Sequence, residues 1–170
     1  MLTGSLAGSY HGAPRATQDI DLVVEGSTAG LLRLAEVLRG AGLYVSDEAV
    51  REARETQGMF NAIDPSTGWK VDFIIRKDRA FSREEFESRQ EIEFQGLRLN
   101  LACAEDMVVA KLEWASLGES ERQLRDVAEI LNVQGADLDL PRIETWITEL
   151  GLDEEWAKAR ELADSSGESG

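Results

Sequence analysis

The spacing of hydrophobic residues along the chain changes from strand-like to helix-like and predicts where each element lies. Residues 19–24 begin with alternating polar and apolar positions and then become fully apolar, as in a central strand that opens on a site at one end. Apolar residues at helical spacing between 31 and 38 predict a helix packed on the sheet. Residues 59–63 and 69–75 predict two further strands joined by a hairpin turn.

Shorter segments complete the first part of the pattern. They are a strand stub at 1–3, a short helix before Gly12, a strand at 43–45, a helix over 46–55, a helix opened by a capping box at Ser82, and a hairpin over 91–101 that turns at Gln95-Gly96. From residue 105 the pattern is helical throughout. We expect helices at 105–117, from a second capping box at Ser120 to 133, at 141–150 and at 153–163.

This order of elements predicts an α+β (α/β) fold in which a mixed sheet flanked by helices is followed by a C-terminal helical part. We place the boundaries so that residues 1–103 form the sheet-containing core and 104–163 the helical region. Residues 164–170 are small and polar, which favours a disordered tail.

Composition narrows the chemistry that the chain can support. Its 170 residues contain one cysteine, Cys103, and one histidine, His11, so a zinc site built on these residue types is nearly excluded. Both are better explained by packing. Any metal must be held by oxygen ligands, which favours magnesium, manganese or calcium.

Charge and hydropathy constrain partners and location. The formal net charge of -15 argues against a surface that binds nucleic acid over most of its area. It leaves room for a local basic groove in the first part of the chain. The sequence has no apolar run long enough to cross a membrane and no basic, then apolar, secretory start. We therefore expect a cytoplasmic protein that has no membrane partner.

Three carboxylates are the main candidates for metal ligands. Asp19 and Asp21 project from the same face of one predicted strand, about 7 Å apart by the usual rise. Asp72 lies amid apolar residues on another strand, although Asp64 or Asp78 could be mistaken for this third carboxylate. An edge-strand solubility role is the plainer explanation of a lone Asp-x-Asp, whereas a divalent cation would relieve the repulsion among all three.

Gly4 and Ser5 stand where a strand passes into a helix. Free backbone N–H groups at a helix start can hold a phosphate, and a glycine lets it approach closely. Ser5 could equally serve only as a helix N-cap, and the two roles are compatible.

Together these features resemble the nucleotidyltransferase superfamily, which has a DNA polymerase β-like fold. The resemblance rests on Gly4-Ser5, the spacer over residues 6–18, Asp19-x-Asp21 and a third carboxylate on a later strand. Pro14 to Asp21, Glu105-Asp106 with Lys111, and Arg122 with Arg125-Asp126 resemble the abortive-infection (AbiEii) toxin nucleotidyltransferases. The resemblance spans roughly residues 1–136.

The resemblance implies a magnesium site, with manganese as a substitute, at Asp19, Asp21 and Asp72. In it Asp72 would also help deprotonate an acceptor hydroxyl. Gly4 and Ser5 would hold a nucleoside triphosphate, Lys111 and Arg125 would neutralise its charge, and Asp126 would orient them. Arg15 would reach either the nucleotide or a neighbouring carboxylate.

Simpler explanations exist for the basic residues. Lys111 could be a surface lysine whose ammonium reaches water, and Arg125 and Asp126 could belong to a solvated helix face. The first functional hypothesis is an enzyme that transfers a nucleoside monophosphate to a hydroxyl of an RNA end, such as tRNA, or of a protein. The alternative is a weakly catalytic or non-catalytic module of a toxin–antitoxin pair, which binds its cognate partner through the helices after residue 137.

Overall fold

The computed structural model describes residues 1–118 and 120–167, which divide into two compact units. The first unit contains residues 1–6 and 16–101, and the second contains residues 7–15 and 102–170. The second change of unit along the chain falls between residues 101 and 102. Residues 7–15, however, belong with the C-terminal helices rather than with the sheet.

A six-stranded mixed sheet forms the centre of the first unit. Its strands follow the order β3-β4-β2-β1-β6-β5. The strands are β1 Leu2–Thr3, β2 Asp19–Val24, β3 Met59–Ile63, β4 Lys70–Ile75, β5 Gln90–Phe94 and β6 Leu97–Leu101. Strands β2 and β4 are parallel, as are β1 and β6, whereas the other three neighbouring pairs are antiparallel. The predicted mixed sheet is confirmed.

Helices cover one face of this sheet and bury its apolar side chains. The helices of the first unit are α2 Thr28–Gly40, α3 Asp47–Thr56 and α4 Ala80–Glu87. Leu31 and Ala35 from α2 and Val50 from α3 are buried in one cluster with Phe60 and Phe73 of the sheet. Phe60 and Phe73 stack at 5.0 Å between ring centroids. Burial on this face leaves the opposite side chains of β2 and β4 for polar chemistry.

The second unit is helical. Its helices are α5 Ala104–Gly118, α6 Glu121–Gln134, α7 Leu140–Leu150 and α8 Asp153–Gly167, with a 3₁₀ turn at Gly135–Asp137 between α6 and α7. Helix α5 packs against α6 and α7, and α6 packs against α8. Helix α1, Gly4–Tyr10, begins in the first unit and ends in the second.

Residues 7–15 join the second unit through specific contacts. His11 Nε2 donates to the carbonyl oxygen of Ala102 at 2.7 Å, and Gln134 donates to the carbonyl oxygen of His11 at 3.1 Å. Gly12 has a φ of 116° and leaves no room for a Cβ, which would lie 2.5 Å from Val133 Cβ. His11 is buried, so the packing role expected for it is confirmed.

Several local predictions are wrong. The expected strand at 43–45 is reduced to one bridge between Tyr44 and Ile63 in the short link between α2 and α3. Helix α4 begins at Ala80, so Ser82 is a buried helical residue whose hydroxyl accepts from Arg79 rather than an N-cap. Burying Phe81 extends that helix by a turn. Ser120 does precede α6, but its side chain makes no capping hydrogen bond to the described residues.

The end of the chain also differs from the prediction. Helix α8 continues to Gly167, so residues 164–167 are helical where a disordered tail was expected. Residues 168–170 of that predicted tail lie outside the described residues. Within the part of the chain that the structure describes, no helix is both long and apolar enough to cross a membrane.

Candidate functional site

Two neighbouring parallel strands bring three aspartates to one face of the sheet. Strand β2 pairs with β4 so that Asp21 lies beside Asp72 and Asp19 lies beside Lys70. Because side chains alternate along a strand, Asp19 and Asp21 share a face, and Lys70 and Asp72 share the same face of the next strand. The two strands that carry the aspartates are therefore neighbours in the sheet. We call Asp19, Asp21 and Asp72 the carboxylate cluster.

Lys70 pairs with two members of the carboxylate cluster. Its ammonium Nζ lies 2.9 Å from Asp72 Oδ2 and 3.6 Å from Asp19 Oδ1. The hydrogen bond to Asp72 raises the pKa of Lys70, and the charge of Asp19 adds to this effect. The lysine therefore stays protonated and offsets part of the negative charge of the cluster.

Asp72 is the most buried of the three carboxylates, with 5% of its surface exposed. Its Oδ2 is held by Lys70. Its Oδ1 is buried and has no hydrogen-bond partner among the described residues. A buried carboxylate oxygen without a partner costs free energy, so this oxygen marks a position where a cation or a donor group would be stabilised.

Asp21 is the carboxylate most affected by charge repulsion in the cluster, because the ion pairs of Lys70 are with Asp19 and Asp72. Burial raises the pKa of Asp21, and the charges of Asp72 and Asp19 raise it further. The backbone N–H of Ser5 donates to the carboxylate and opposes these effects. Without a cation close to it, Asp21 is thus an electrostatically unfavourable charge at neutral pH.

Gly4 allows the chain to pass directly against Asp21. Its φ is 64°, in the left-handed region, and a Cβ at this position would lie 1.9 Å from Asp21 Oδ2. A side chain at residue 4 is therefore incompatible with the present position of Asp21. The start of α1 thus lies against the carboxylate cluster, with the Ser5 N–H used to hold one of its members.

The donor set of the cluster suits a hard divalent cation, since it consists of carboxylate oxygens and includes the unpartnered Asp72 Oδ1. Among residues 1–118 and 120–167, however, no group of three His, Cys, Asp or Glu side chains stands ready to enclose a metal ion. The ammonium of Lys70 lies between Asp19 and Asp72 and contacts both.

A second polar cluster lies within the helical unit. Lys111 of α5 donates to Asp126 Oδ2 of α6 at 2.6 Å and to Gln123 Oε1 at 3.3 Å. Arg15 Nε lies 3.5 Å from the same Asp126 oxygen. We call Lys111, Asp126, Gln123 and Arg15 the buried lysine cluster.

Burial dominates the electrostatics of this second cluster. It lowers the pKa of Lys111 more than the hydrogen bond that Lys111 donates to Asp126 raises it. Lys111 and Asp126 are both buried, so the alternatives of a surface lysine and a solvated aspartate are wrong. Arg15 contacts a neighbouring carboxylate, which is one of the two roles expected for it.

Arg125 points away from the buried lysine cluster. It is exposed and pairs with Glu121 one turn earlier on α6, at 3.6 Å. Neighbouring residues on a helix project about 100° apart, so Arg125 and Asp126 face different directions. Asp126 therefore orients Lys111 and Arg15, whereas the expected orientation of Arg125 by Asp126 is wrong.

Cys103 belongs to a third buried group, in which it has a structural role. It donates to Asp106 Oδ2 at 2.9 Å, while Arg142 of α7 pairs with Asp106 Oδ1 at 2.6 Å. Burial and the charge of Asp106 raise the pKa of Cys103 to about 12. The thiol is therefore protonated at neutral pH, and the packing role expected for it is confirmed.

Comparison with known proteins identifies the fold of this chain. No family model matches the sequence, and no curated protein matches it. Among solved structures, it is similar to the antibiotic-resistance factor ANT(2'')-Ia, with a TM-score of 0.56 and 15% identity over 94% of this chain and 85% of that one. The chain has the nucleotidyltransferase fold.

A second solved structure with this fold is an antigenic nucleotidyltransferase-like protein from Paracoccidioides brasiliensis. It matches with a TM-score of 0.50 and 13% identity, over 94% of this chain and 83% of that one. Identities this low relate the chains through their nucleotidyltransferase fold alone. The comparisons therefore support the predicted fold, and the AbiEii resemblance stays a prediction.

Sequence reasoning missed two features of the carboxylate cluster. Lys70 was given no role, although alternation along the strand alone puts it two residues from Asp72 on the same face. The contact of Gly4 with Asp21 had no sequence signal beyond the glycine itself, because it depends on how β1 pairs with β2.

Proposed function

We propose that this protein is a metal-dependent nucleotidyltransferase that transfers a nucleoside monophosphate from a nucleoside triphosphate to a hydroxyl acceptor and releases pyrophosphate. The observation that carries the proposal is the carboxylate cluster, in which a buried aspartate keeps one oxygen unpartnered among the described residues of a nucleotidyltransferase fold. Clustered carboxylates at this cost to stability are typical of a site that gains a cation.

Each residue of the cluster has a distinct part in the proposal. Asp19, Asp21 and Asp72 would hold magnesium or manganese, which supplies positive charge for the phosphate oxygens when bound. Asp72 Oδ1 would accept the proton of the acceptor hydroxyl, since this oxygen has no other partner among the described residues. Gly4 would keep the start of α1 against Asp21, where a side chain at residue 4 would displace the carboxylate.

The finer parts of the proposal rest on sequence resemblance. A role in a toxin–antitoxin or phage-defence system, RNA or protein as acceptor, and location in the cytoplasm all belong to it. The nucleotide-binding roles proposed for Ser5, Lys111, Arg125, Asp126 and Arg15 have the same support. Lys111 and Asp126 form a buried ion pair, so a substitution of either residue will also change the stability of the protein.

The test incubates the protein with magnesium or manganese, each α-phosphate-labelled nucleoside triphosphate, total RNA and cell lysate. We expect label on RNA or on a protein, and a loss of about 100-fold or more in Asp19→Ala. Asp47→Ala is the matched control, since Asp47 is similarly exposed at its side chain (54%, against 51% for Asp19) and is also ion-paired, to Arg39. The control should keep full activity.

Two results would contradict this proposal. Label transferred equally by a folded Asp19→Ala variant would remove the cluster from the reaction. Failure of the wild type to bind any nucleoside triphosphate with either metal would favour the alternative of a partner-binding module. In that case deletion of residues 137–170 should abolish association with the partner.

A further inference from the structure

We propose that Lys70 is a built-in counter-cation that occupies the carboxylate cluster before the metal and must be displaced by it. This inference rests on the proposed function, because it concerns the same metal. It assigns to Lys70 a positioning role, not a catalytic one. The ammonium would set both the stability of the metal-free site and the affinity of the site for a divalent cation.

The position of Lys70 follows from strand register. Lys70 lies directly beside Asp19 on the neighbouring strand and two residues before Asp72 on its own strand. One side chain thus reaches two carboxylates that come from different strands. Its contacts of 2.9 Å to Asp72 Oδ2 and 3.6 Å to Asp19 Oδ1 put the ammonium between them.

The same geometry explains why the described residues present no ready metal cage. A divalent ion shared by Asp19 and Asp72 would have to approach the oxygens that Lys70 now contacts, and two cations repel each other at such distances. Lys70 is only partly buried, with a third of its side chain exposed (33%), so the ammonium can swing to solvent when a metal arrives. Asp72 Oδ1, which Lys70 does not contact, is buried and has no hydrogen-bond partner among the described residues.

Displacing Lys70 costs free energy, and this cost lowers the affinity of the site for the metal. Each metal ion bound would break the two ion pairs of Lys70, so the lysine weakens metal binding while it stabilises the metal-free protein. Replacing Lys70 by a neutral residue should therefore tighten binding by about tenfold, the equivalent of a partly exposed ion pair. The same change should lower the melting temperature of the metal-free protein, because three carboxylates are left without their counter-ion.

The experiment measures manganese binding by the loss of the free-ion paramagnetic resonance signal, with no nucleotide present, together with thermal unfolding in a chelator. Lys70→Met and Lys70→Gln are compared with the wild type, and Gln retains a donor for Asp72 if the Met variant does not fold. Lys70→Arg keeps the charge and should restore wild-type values. Lys77→Met is the control for loss of an exposed positive charge after β4, and should change neither quantity.

The outcomes separate this inference from the proposed function. Tighter manganese binding and a lower metal-free melting temperature in the neutral variants support it, as does binding seen only in those variants. Wild-type binding with unchanged or weaker affinity in both neutral variants would overturn the role of Lys70 and leave the proposed function standing. If neither the wild type nor the variants bind manganese, the role of Lys70 is overturned, and the labelling experiment with nucleoside triphosphates decides the proposed function separately.

Discussion

Asp21 and Asp72 lie directly opposite each other on two parallel strands, with like charges on the same face of the sheet. A pair of this kind is destabilising unless something positive lies close by. Lys70 pairs with Asp72, whereas the charge of Asp21 is stabilised mainly by a hydrogen bond from the backbone N–H of Ser5. The arrangement is unfavourable for the stability of the metal-free protein, and its consequences can be measured.

Asp21→Asn should stabilise the metal-free protein while it abolishes manganese binding. Burial and the charge of Asp72 raise the pKa of Asp21, so the native state binds its proton more tightly than the unfolded state does. Stability therefore falls as pH rises from the unfolded value to the raised native one, and the loss is complete above it. We expect a gain of a few tenths to about 1 kcal/mol at pH 7, after allowance for solvent screening.

Urea unfolding at pH 7 and at pH 3 checks this expectation. At pH 3 both states are mostly protonated at residue 21, so the advantage of the Asn variant should shrink. Glu48→Gln removes an exposed negative charge from α3 and should leave stability unchanged at both pH values. An Asn variant that is less stable than the wild type at pH 7 would contradict the repulsion at Asp21.

Gly4→Ala should destabilise the first unit strongly and displace Asp21. The added Cβ meets a carboxylate oxygen at 1.9 Å and also requires a left-handed backbone. We expect a loss of about 2–4 kcal/mol, from about 1–2 for the backbone and the rest from overpacking. Gly68→Ala is the control, because its φ of 77° is similar and no described atom lies within 4 Å of its Cβ. Equal losses of unfolding free energy in the two variants would rule out the contact with Asp21.

Lys111→Met should be costly because it leaves the buried charge of Asp126 with Arg15 alone, at 3.5 Å. Removing one partner of a buried pair typically costs about 3–5 kcal/mol, and we expect the lower end because of Arg15. The double variant Lys111→Met/Asp126→Leu should recover most of this loss. Denaturant unfolding of both single variants and the double variant measures the coupling.

Lys158→Met provides the matched comparison for this cycle. Lys158 also donates to a carboxylate at 2.6 Å, that of Glu154, but on the exposed face of α8. Its loss should cost far less than that of Lys111, because water screens the exposed pair. A Lys111→Met variant as stable as Lys158→Met would show that the buried pair contributes nothing to the helical unit.

Cys103 should resist alkylation in the native protein. With a pKa of about 12, only about one thiol in 10⁴ is ionised at pH 8, and the group is buried as well. Iodoacetamide labelling followed by mass spectrometry should therefore proceed only as fast as the protein opens, and quickly in denaturant. Rapid labelling of the folded protein would contradict the contacts of Cys103 with Asp106.

The face on which each aspartate lies could be predicted from sequence, because alternation along a strand is a local property. Asp19, Asp21 and Asp72 followed from it directly, as did the apolar face formed by Phe73 and its neighbours. The register that sets Asp21 beside Asp72 could be expected only if β2 and β4 were neighbours, and that depends on packing of distant segments.

Where prediction failed, distant contacts decided the outcome. Trp114 lies on an apolar helical stripe of α5, a position that predicts burial, yet 56% of its surface is exposed. Trp146 and Trp156, on similar stripes, are buried. Ser82 shows a complete local capping signal, but burial of the adjacent Phe81 favours an earlier helix start.

The assignment of residues 7–15 to the helical unit has a consequence for folding during synthesis. His11 can form its hydrogen bonds only after Ala102 and Gln134 have been synthesised, roughly 90 and 120 residues later. Strand β1 likewise can pair with β6 only after Leu101, the partner of Leu2, has been synthesised. At about 5–20 residues per second, these segments remain without their partners on the ribosome for several seconds. During that interval a nascent chain exposes a strand edge that chaperones can bind.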